Sequence, residues 1–215
     1  MRQNFIAQLE ELNQDVIKMG SILELSTNEM IVALDSFDTK MANEIIDRDD
    51  EIDLLEQQIE RECINIIAKQ QPLASDLRKI TSIMKIITDI ERIADQCADI
   101  SEYILKLAAM PKVKAPVHLP DMIEAMKVMV IDTIDSFVES DLEKARKVMD
   151  ADDVVDAYFT KITGALIEMI QEDSKTAPQG VCYLMIVKYL ERMADHATNI
   201  AEWNRFSLTG DLTLG

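Results

Sequence analysis

The sequence predicts an all-α protein made of two tandem, pseudo-symmetric three-helix bundles. Three observations predict it: a composition suited to long helices, a set of motifs that recurs about one hundred residues on, and a single proline-rich break between the copies. Only 5 Gly, 5 Pro and 5% aromatic residues occur in 215 positions, whereas strand proteins need more turn residues and more aromatic side chains. The 48% of apolar residues is ample for a buried core.

Apolar spacing of three and four predicts six helices. The first spans 3–34 and breaks at Asp35-Ser36-Phe37-Asp38. The second spans 40–70 and stops before Pro72, because the residue preceding a proline is pushed away from helix. The third spans 74–109. Residues 110–120 then hold Pro111, Pro116 and Pro120, which cannot lie inside a helix, and form the linker. The fourth helix spans 121–138. Ser140-Asp141-Leu142-Glu143 has the spacing of a capping box and opens the fifth, which ends near Asp173. Thr176-Ala177-Pro178 opens the sixth, which ends near Phe206. The domain reading is 1–109 for the first unit, 110–120 for the linker, 121–206 for the second unit and 207–215 for a frayed tail.

The two units match each other. Asp35-Ser36-Phe37 recurs as Asp135-Ser136-Phe137, and Glu91-Arg92-Ile93-Ala94-Asp95 as Glu191-Arg192-Met193-Ala194-Asp195, both offset by 100. Asp49, Asp50, Ile52 and Asp53 recur as Asp152, Asp153, Val155 and Asp156, offset by 103. The second unit has gained three residues before its middle helix and lost three after it, in places where loops absorb length. This is an internal duplication of a three-helix unit.

The formal charge of −18 opposes contact with nucleic acid and with anionic lipid, and favours cations and basic partner surfaces. Cys63, Cys97 and Cys182 form no CxxC pair and sit among apolar residues, which predicts core packing in a reducing compartment. The N-terminus lacks a signal-peptide apolar block, and no run reaches 18 apolar residues. A cytoplasmic protein is expected.

Chemistry enters through carboxylates. On the third helix the seam Leu77, Ile80, Met84, Ile87 continues as Glu91, Asp95, Ala98, so two acids interrupt an apolar face. The sixth helix repeats this as Leu184, Val187, Glu191, Asp195. The second and fifth helices carry Asp49 with Asp53 and Asp152 with Asp156 on their apolar stripes. Each unit thus places acid pairs at i, i+4 on two helices. Acids brought together at a bundle rim repel each other and take up protons unless a positive charge lies among them. A bound cation answers this, and oxygen donors suit Mg²⁺, Mn²⁺ or iron better than soft-ligand metals. The other answer is pairing with basic side chains of neighbouring helices, for which Lys85 and Lys188 are candidates; Arg92 and Arg192 point about 100° around the helix from the glutamates. His118 and His196 have no partner histidine, and no helix carries the Glu-x-x-His motif of oxidative di-iron bundles. No Ser-His-Asp or Cys-His arrangement and no phosphate-cradling glycine loop is present. Most methionines, Met126, Met129, Met149, Met169, Met185 and Met193 among them, fall at core spacing.

The stretch Gln70-Gln71-Pro72-Leu73-Ala74-Ser75-Asp76-Leu77-Arg78, leading to Asp89-Ile90-Glu91-Arg92-Ile93-Ala94-Asp95, resembles the first repeat of the PhoU family. Lys188-Tyr189-Leu190-Glu191-Arg192-Met193-Ala194-Asp195-His196-Ala197-Thr198-Asn199-Ile200-Ala201-Glu202 resembles the second. The resemblance covers residues 5–205. It implies a PhoU-like six-helix fold, a homodimer, and multinuclear iron or zinc bound by Asp49, Asp53, Glu91, Asp95, Asp152, Asp156, Glu191 and Asp195, with manganese or magnesium as other divalent candidates. It also implies repression of phosphate uptake and phosphate-starvation signalling, through contact with the phosphate ABC transporter and its sensor histidine kinase. The protein would then meet the membrane only through these partners. The family pattern ER-x-GDHAxNI is kept as Asp195-His196-Ala197 and Asn199-Ile200 in the second repeat, but the first reads Asp95-Gln96-Cys97-Ala98-Asp99-Ile100. Both repeats have Ala, at 94 and 194, where the family has Gly. Asp99 and Asn199 are candidates for additional ligands. The competing functional class is a carboxylate-bridged metal enzyme, an oxidase or phosphohydrolase, against which the scarcity of histidine counts; a third class is a metal-free helical adaptor.

Overall fold

The computed structural model describes residues 2–211, with side-chain surroundings from residue 5 onward. It is a six-helix protein without strands among the described residues: α1 (Arg2–Ser36), α2 (Thr39–Gln70), α3 (Ala74–Ala108), α4 (Leu119–Glu139), α5 (Leu142–Glu172) and α6 (Ala177–Thr209), with a 3₁₀ turn at Ser174–Thr176 before α6. Helices α1, α2 and α3 pack on one another, as do α4, α5 and α6. The broadest contact in the molecule joins α3 to α6, and α1 also touches α4. Among the described residues the outer helices α2 and α5 touch only their own repeat.

Burial follows from this placement. α2 needs one apolar stripe, and Ile45, Ile52, Leu55, Ile59, Cys63 and Ile66 form it at spacings of three, four and seven. α3 is covered by three neighbours and buries a wider arc, Ile80, Ile83, Ile86, Ile87, Ile90, Ile93, Cys97, Ile100 and Ile104. Its counterpart α6 buries Tyr183, Ile186, Val187, Leu190, Met193, Ala197 and Ile200. Cys97 faces α1 with its thiol 3.8 Å from Thr27 Oγ1, while at the equivalent place Ala197 O accepts a 3.0 Å hydrogen bond from Thr133 of α4. The three cysteines are buried thiols, and burial pushes Cys63 and Cys97 up to about 12, far from reactive thiolate.

Helix ends show where the duplication adjusted its length. Asp38 Oδ1 accepts from the amides of Lys40 and Met41, each at 3.0 Å, and caps α2. Asp141 Oδ1 does the same for α5, accepting from Glu143 N at 2.9 Å and Lys144 N at 3.1 Å. The cap is therefore Asp141, one residue later than the Ser140 of the expected capping box. Ser140 instead adopts a left-handed φ of 54°, matched by Phe37 at 56° in the first repeat. Asp135-Ser136-Phe137 lies inside α4, whereas its copy Asp35-Ser36-Phe37 ends α1. The three added residues are thus taken up as nearly one further helical turn, not by a loop, because a whole turn keeps the apolar face in phase.

The linker is shorter than expected. α4 starts at Leu119, and Pro120 sits in its first turn, where the missing amide hydrogen has no helical acceptor to lose. Gln179 Nε2 donates to Pro111 O at 3.0 Å and ties the linker to α6. At the other end α6 runs on to Thr209, so residues 207–209 of the expected frayed tail are helical. Gly210, at φ 80°, closes the helix by donating its amide to Phe206 O, and Arg78 Nε donates to Ser207 O at 3.2 Å. A cation at a helix C-terminus meets the negative end of the macrodipole, which is why this turn holds. Residues 212–215 of that tail lie outside the described residues. Leu77 and Leu184, expected on the apolar seams, are exposed, because both lie on the outer edge of their helices. No helix among the described residues is long and apolar enough to cross a membrane.

Candidate metal centres

The first quartet lies where α2 meets α3. Asp49, Asp53, Glu91 and Asp95 are all half-buried, at the rim of the isoleucine stripe. One oxygen each of Asp49, Asp53 and Asp95 falls within 4.8 Å of the others. Asp49 Oδ1 and Asp53 Oδ1 are buried and accept no hydrogen bond. Buried carboxylate oxygens without donors are costly unless a proton or a cation satisfies them. Burial first, then Asp95 and Asp53, push Asp49 up to about 6. Burial first, then Asp95, push Glu91 up to about 7 against the opposing pull of Arg92. Asp53 is raised by burial and by Asp95. These residues fit a hard divalent or trivalent ion, whose charge would relieve the mutual repulsion and whose oxygen preference matches the donors. Such an ion would draw on Asp49, Asp53 and Asp95, with Glu91 beside them.

Arg92 differs from the expectation that it points away. Its guanidinium lies 3.4 Å from Glu91 Oε2 and 2.9 Å from Asp95 Oδ2, so the long side chain folds back along the helix to bridge both acids. One positive charge stands against four negative ones, and Arg92 leaves the Asp49 and Asp53 oxygens unpartnered. The lysines considered for neutralisation lie elsewhere: Lys85 Nζ is 6.0 Å from the centre of the Trp203 ring and Lys188 Nζ 5.1 Å from that of Tyr189. Among the described residues neither forms an ion pair with a quartet acid.

The second quartet, at the meeting of α5 and α6, is more open. Asp152 and Glu191 are half-buried, while Asp156 and Asp195 are exposed. Asp152 is raised by burial, then Asp195 and Asp156; Glu191 by burial, then Asp195; and Asp195 by burial, then Asp156. Among the described residues no second triple of acids converges as Asp49, Asp53 and Asp95 do. Among the described residues Arg192 forms no ion pair with these acids, unlike Arg92, although its charge lowers Glu191 and Asp195 in part.

His196 and Asn199, which follow Asp195 on α6, turn towards the first repeat. His196 Nδ1 lies 2.8 Å from Asp89 Oδ1, and Asn199 Nδ2 donates to the same oxygen at 3.3 Å. Asp99 is raised by burial and partnered by the Tyr189 hydroxyl, which lowers it in part. Asp89 is the residue that sequence reasoning passed over; its signal was an acid two places before Glu91, on the side of α3 that meets α6. Two cavities, of about 440 and 320 Å³, lie where α1 ends, share Ser36, Phe37 and Tyr183, and include none of the eight acids.

Residues 16–104 and 119–203 each match the PhoU domain. Over 210 residues the chain is 37% identical to the phosphate-specific transport system accessory protein PhoU homolog of Clostridium acetobutylicum, covering 97% of this chain and 96% of that protein. It is 32% identical over 206 residues to the phosphate-specific transport system accessory protein PhoU of Serratia marcescens, covering 96% and 85% of the two. The crystal structure of PhoU from Pseudomonas aeruginosa superposes with a TM-score of 0.93 at 30% identity, over 96% of this chain and all (100%) of that one. That of the phosphate transport system regulatory protein PhoU from Streptococcus pneumoniae gives 0.89 at 30% identity, over 98% and 100%. With both repeats matched and relatives aligned nearly end to end, this chain belongs to the PhoU family.

Proposed function

We propose that this protein is an accessory regulator of phosphate transport in the cytoplasm. It works by contact, as a homodimer, with a phosphate ABC transporter and a sensor histidine kinase, and it represses uptake and starvation signalling. The names of the full-length relatives support the phosphate-transport part of this reading. The net charge of −18 supports basic protein surfaces as partners over nucleic acid or anionic lipid. In this reading the two quartets hold iron or zinc, with other divalent ions as alternatives. The observation that carries the metal part is the convergence of Asp49, Asp53 and Asp95 around two buried oxygens that accept no hydrogen bond. When bound, the ion supplies fixed positive charge; the chain's own residues orient it and present the surrounding surface to a partner.

Four measurements test the reading. Elemental analysis of the purified protein should find metal that Asp49→Asn with Asp53→Asn reduces while the helical circular dichroism stays. Affinity capture from phosphate-replete cells should recover transporter and kinase components. A metal-free protein whose stability ignores added iron, zinc and manganese would remove the metal part, since a ligand of the folded state raises stability by mass action. Oxygen uptake or phosphoester hydrolysis that vanishes in Asp195→Asn would replace regulation with catalysis.

A further inference from the structure

The same motif arginine is used differently in the two repeats. Arg92 and Arg192 each follow the glutamate of their quartet directly. Arg92 lies 3.4 Å from Glu91 Oε2 and 2.9 Å from Asp95 Oδ2. Arg192 forms no ion pair with its acids among the described residues, although it lowers Glu191 and Asp195 in part. The arginine that pairs is the one whose quartet converges. Asp95 thus stands at the meeting of two arrangements. Its Oδ2 takes the guanidinium, and the same carboxylate offers an oxygen within 4.8 Å of those of Asp49 and Asp53.

We propose that Arg92 is the resident counter-charge of the first quartet, standing in for an ion when none is bound and opposing its entry, so that it sets how tightly this quartet holds metal; this rests on the metal reading above. An ion held by Asp49, Asp53 and Asp95 would share the Asp95 carboxylate with the guanidinium, and two cations beside one carboxylate repel each other. Arg92 does not replace the ion in full, because Asp49 Oδ1 and Asp53 Oδ1 still accept no hydrogen bond. It is also free to yield. The Arg92 side chain is 52% exposed, against 18% for Glu91 and 34% for Asp95, so the guanidinium reaches water without disturbing the helix. An ion pair with so exposed a cation holds weakly, which suits a counter-charge that an incoming ion pushes aside.

The test uses the full chain carrying Glu191→Gln and Asp195→Asn, so that the first quartet alone is read, titrated with Mn²⁺ at pH 7.5 and followed by electron paramagnetic resonance. Adding Arg92→Gln should tighten Mn²⁺ binding about tenfold, the order expected when one positive charge beside a divalent ion at a solvent-facing site is removed. Arg92→Lys keeps the charge and should stay near the parent's affinity. Without metal, Arg92→Gln should melt at a lower temperature than the parent, because the acids have lost this counter-charge. Saturating Mn²⁺ should then raise its melting temperature by more than it raises the parent's. Arg92→Met, which keeps the apolar stem, carries the test if Arg92→Gln does not fold. Weaker Mn²⁺ binding in Arg92→Gln overturns the proposal, since Arg92 would then orient the acids for the ion. Unchanged affinity overturns it too, and so does an equal tightening in Arg192→Gln, which would reflect net charge alone. These results sink the role of Arg92 by itself, while a parent protein that takes up no ion sinks the metal reading with it.

Discussion

His196 Nδ1 and Asp89 Oδ1 lie 2.8 Å apart across 107 residues of chain, and they join the two repeats of the molecule through a side-chain contact that is mostly shielded from water. Their equivalents in the duplicated pattern, Gln96 and Tyr189, do not reproduce the pair. A double-mutant cycle of Asp89→Ala and His196→Ala, read by denaturant unfolding, should give a coupling of about 1 kcal/mol or more, within the range for residues in direct contact. Additive losses would show that the contact contributes nothing of its own.

Without bound metal the first quartet should make the protein more stable in mild acid. The carboxyls of Asp49 and Glu91 are raised in the fold, from 3.8 to about 6 and from 4.5 to about 7. A raised carboxyl binds its proton more tightly when folded than when unfolded. Stability therefore falls as pH rises through the interval between the two values, from about 4 to about 7, and recovers on acidification. Thermal melts of chelator-treated protein between pH 8 and pH 5 should rise towards pH 5. Asp49→Asn should raise the melting temperature at pH 8 and flatten that slope; a profile unaffected by the substitution would contradict the repulsion that burial and Asp95 impose on this group.

Proton and metal compete for the same oxygens, so metal affinity should move the opposite way. Mn²⁺ binding at the first quartet should strengthen from pH 5 to pH 7.5 and level off once Asp49 and Glu91 are ionised. Isothermal titration in two buffers of different ionisation enthalpy would count the protons released, and a count of zero at pH 6 would argue against these two carboxyls as the site.

Two glycines should respond with opposite sign to the same substitution. A Cβ on Gly20 of α1 would stand 2.8 Å from Ile134 Cγ2 of α4, a branch carbon on a stiff side chain. Gly20→Ala should cost about 1 kcal/mol or more, because crowding outweighs the helix preference for alanine. A Cβ on Gly164 of α5 meets nothing within 4 Å. Gly164→Ala should stabilise by about 0.5–1 kcal/mol. Urea denaturation of the two variants decides both signs.

The last turn of α6 should depend on Gly210. At φ 80°, with Arg78 Nη1 2.6 Å from where a Cβ would sit, Gly210→Ala meets both backbone strain and crowding. It should cost about 1–2 kcal/mol, the usual penalty for a left-handed residue with a side chain, and hydrogen exchange should speed up at residues 206–210. Unchanged exchange there would show that Arg78 alone holds the turn.

The sequence by itself determined the helices, the duplication and the eight acids, because each is a local pattern. A spacing of three or four fixes which residues share a face whatever packs against it. Pro72, Pro116 and Pro178 mark breaks and starts because a proline lacks an amide hydrogen wherever it stands. The likeness of the two motif helices to the PhoU pattern is likewise a property of consecutive residues. Helix ends were legible only to within a few residues: Asp141 and not Ser140 caps α5, and α4 takes up an extra turn, since caps depend on where the neighbouring helix has to finish.

Only the tertiary structure decided which acids meet. Asp49, Asp53 and Asp95 converge and the second quartet opens to solvent, although both are written with the same spacing. Spacing along a helix is the same in both quartets, so the difference arises between helices, where α2 meets α3 and α5 meets α6. Arg92 pairs with Glu91 and Asp95 of its own quartet, Arg192 acts on Glu191 and Asp195 without an ion pair among the described residues, and His196 turns to Asp89. A one-dimensional pattern says which way a side chain leaves its helix. Where it arrives is fixed by the other helices.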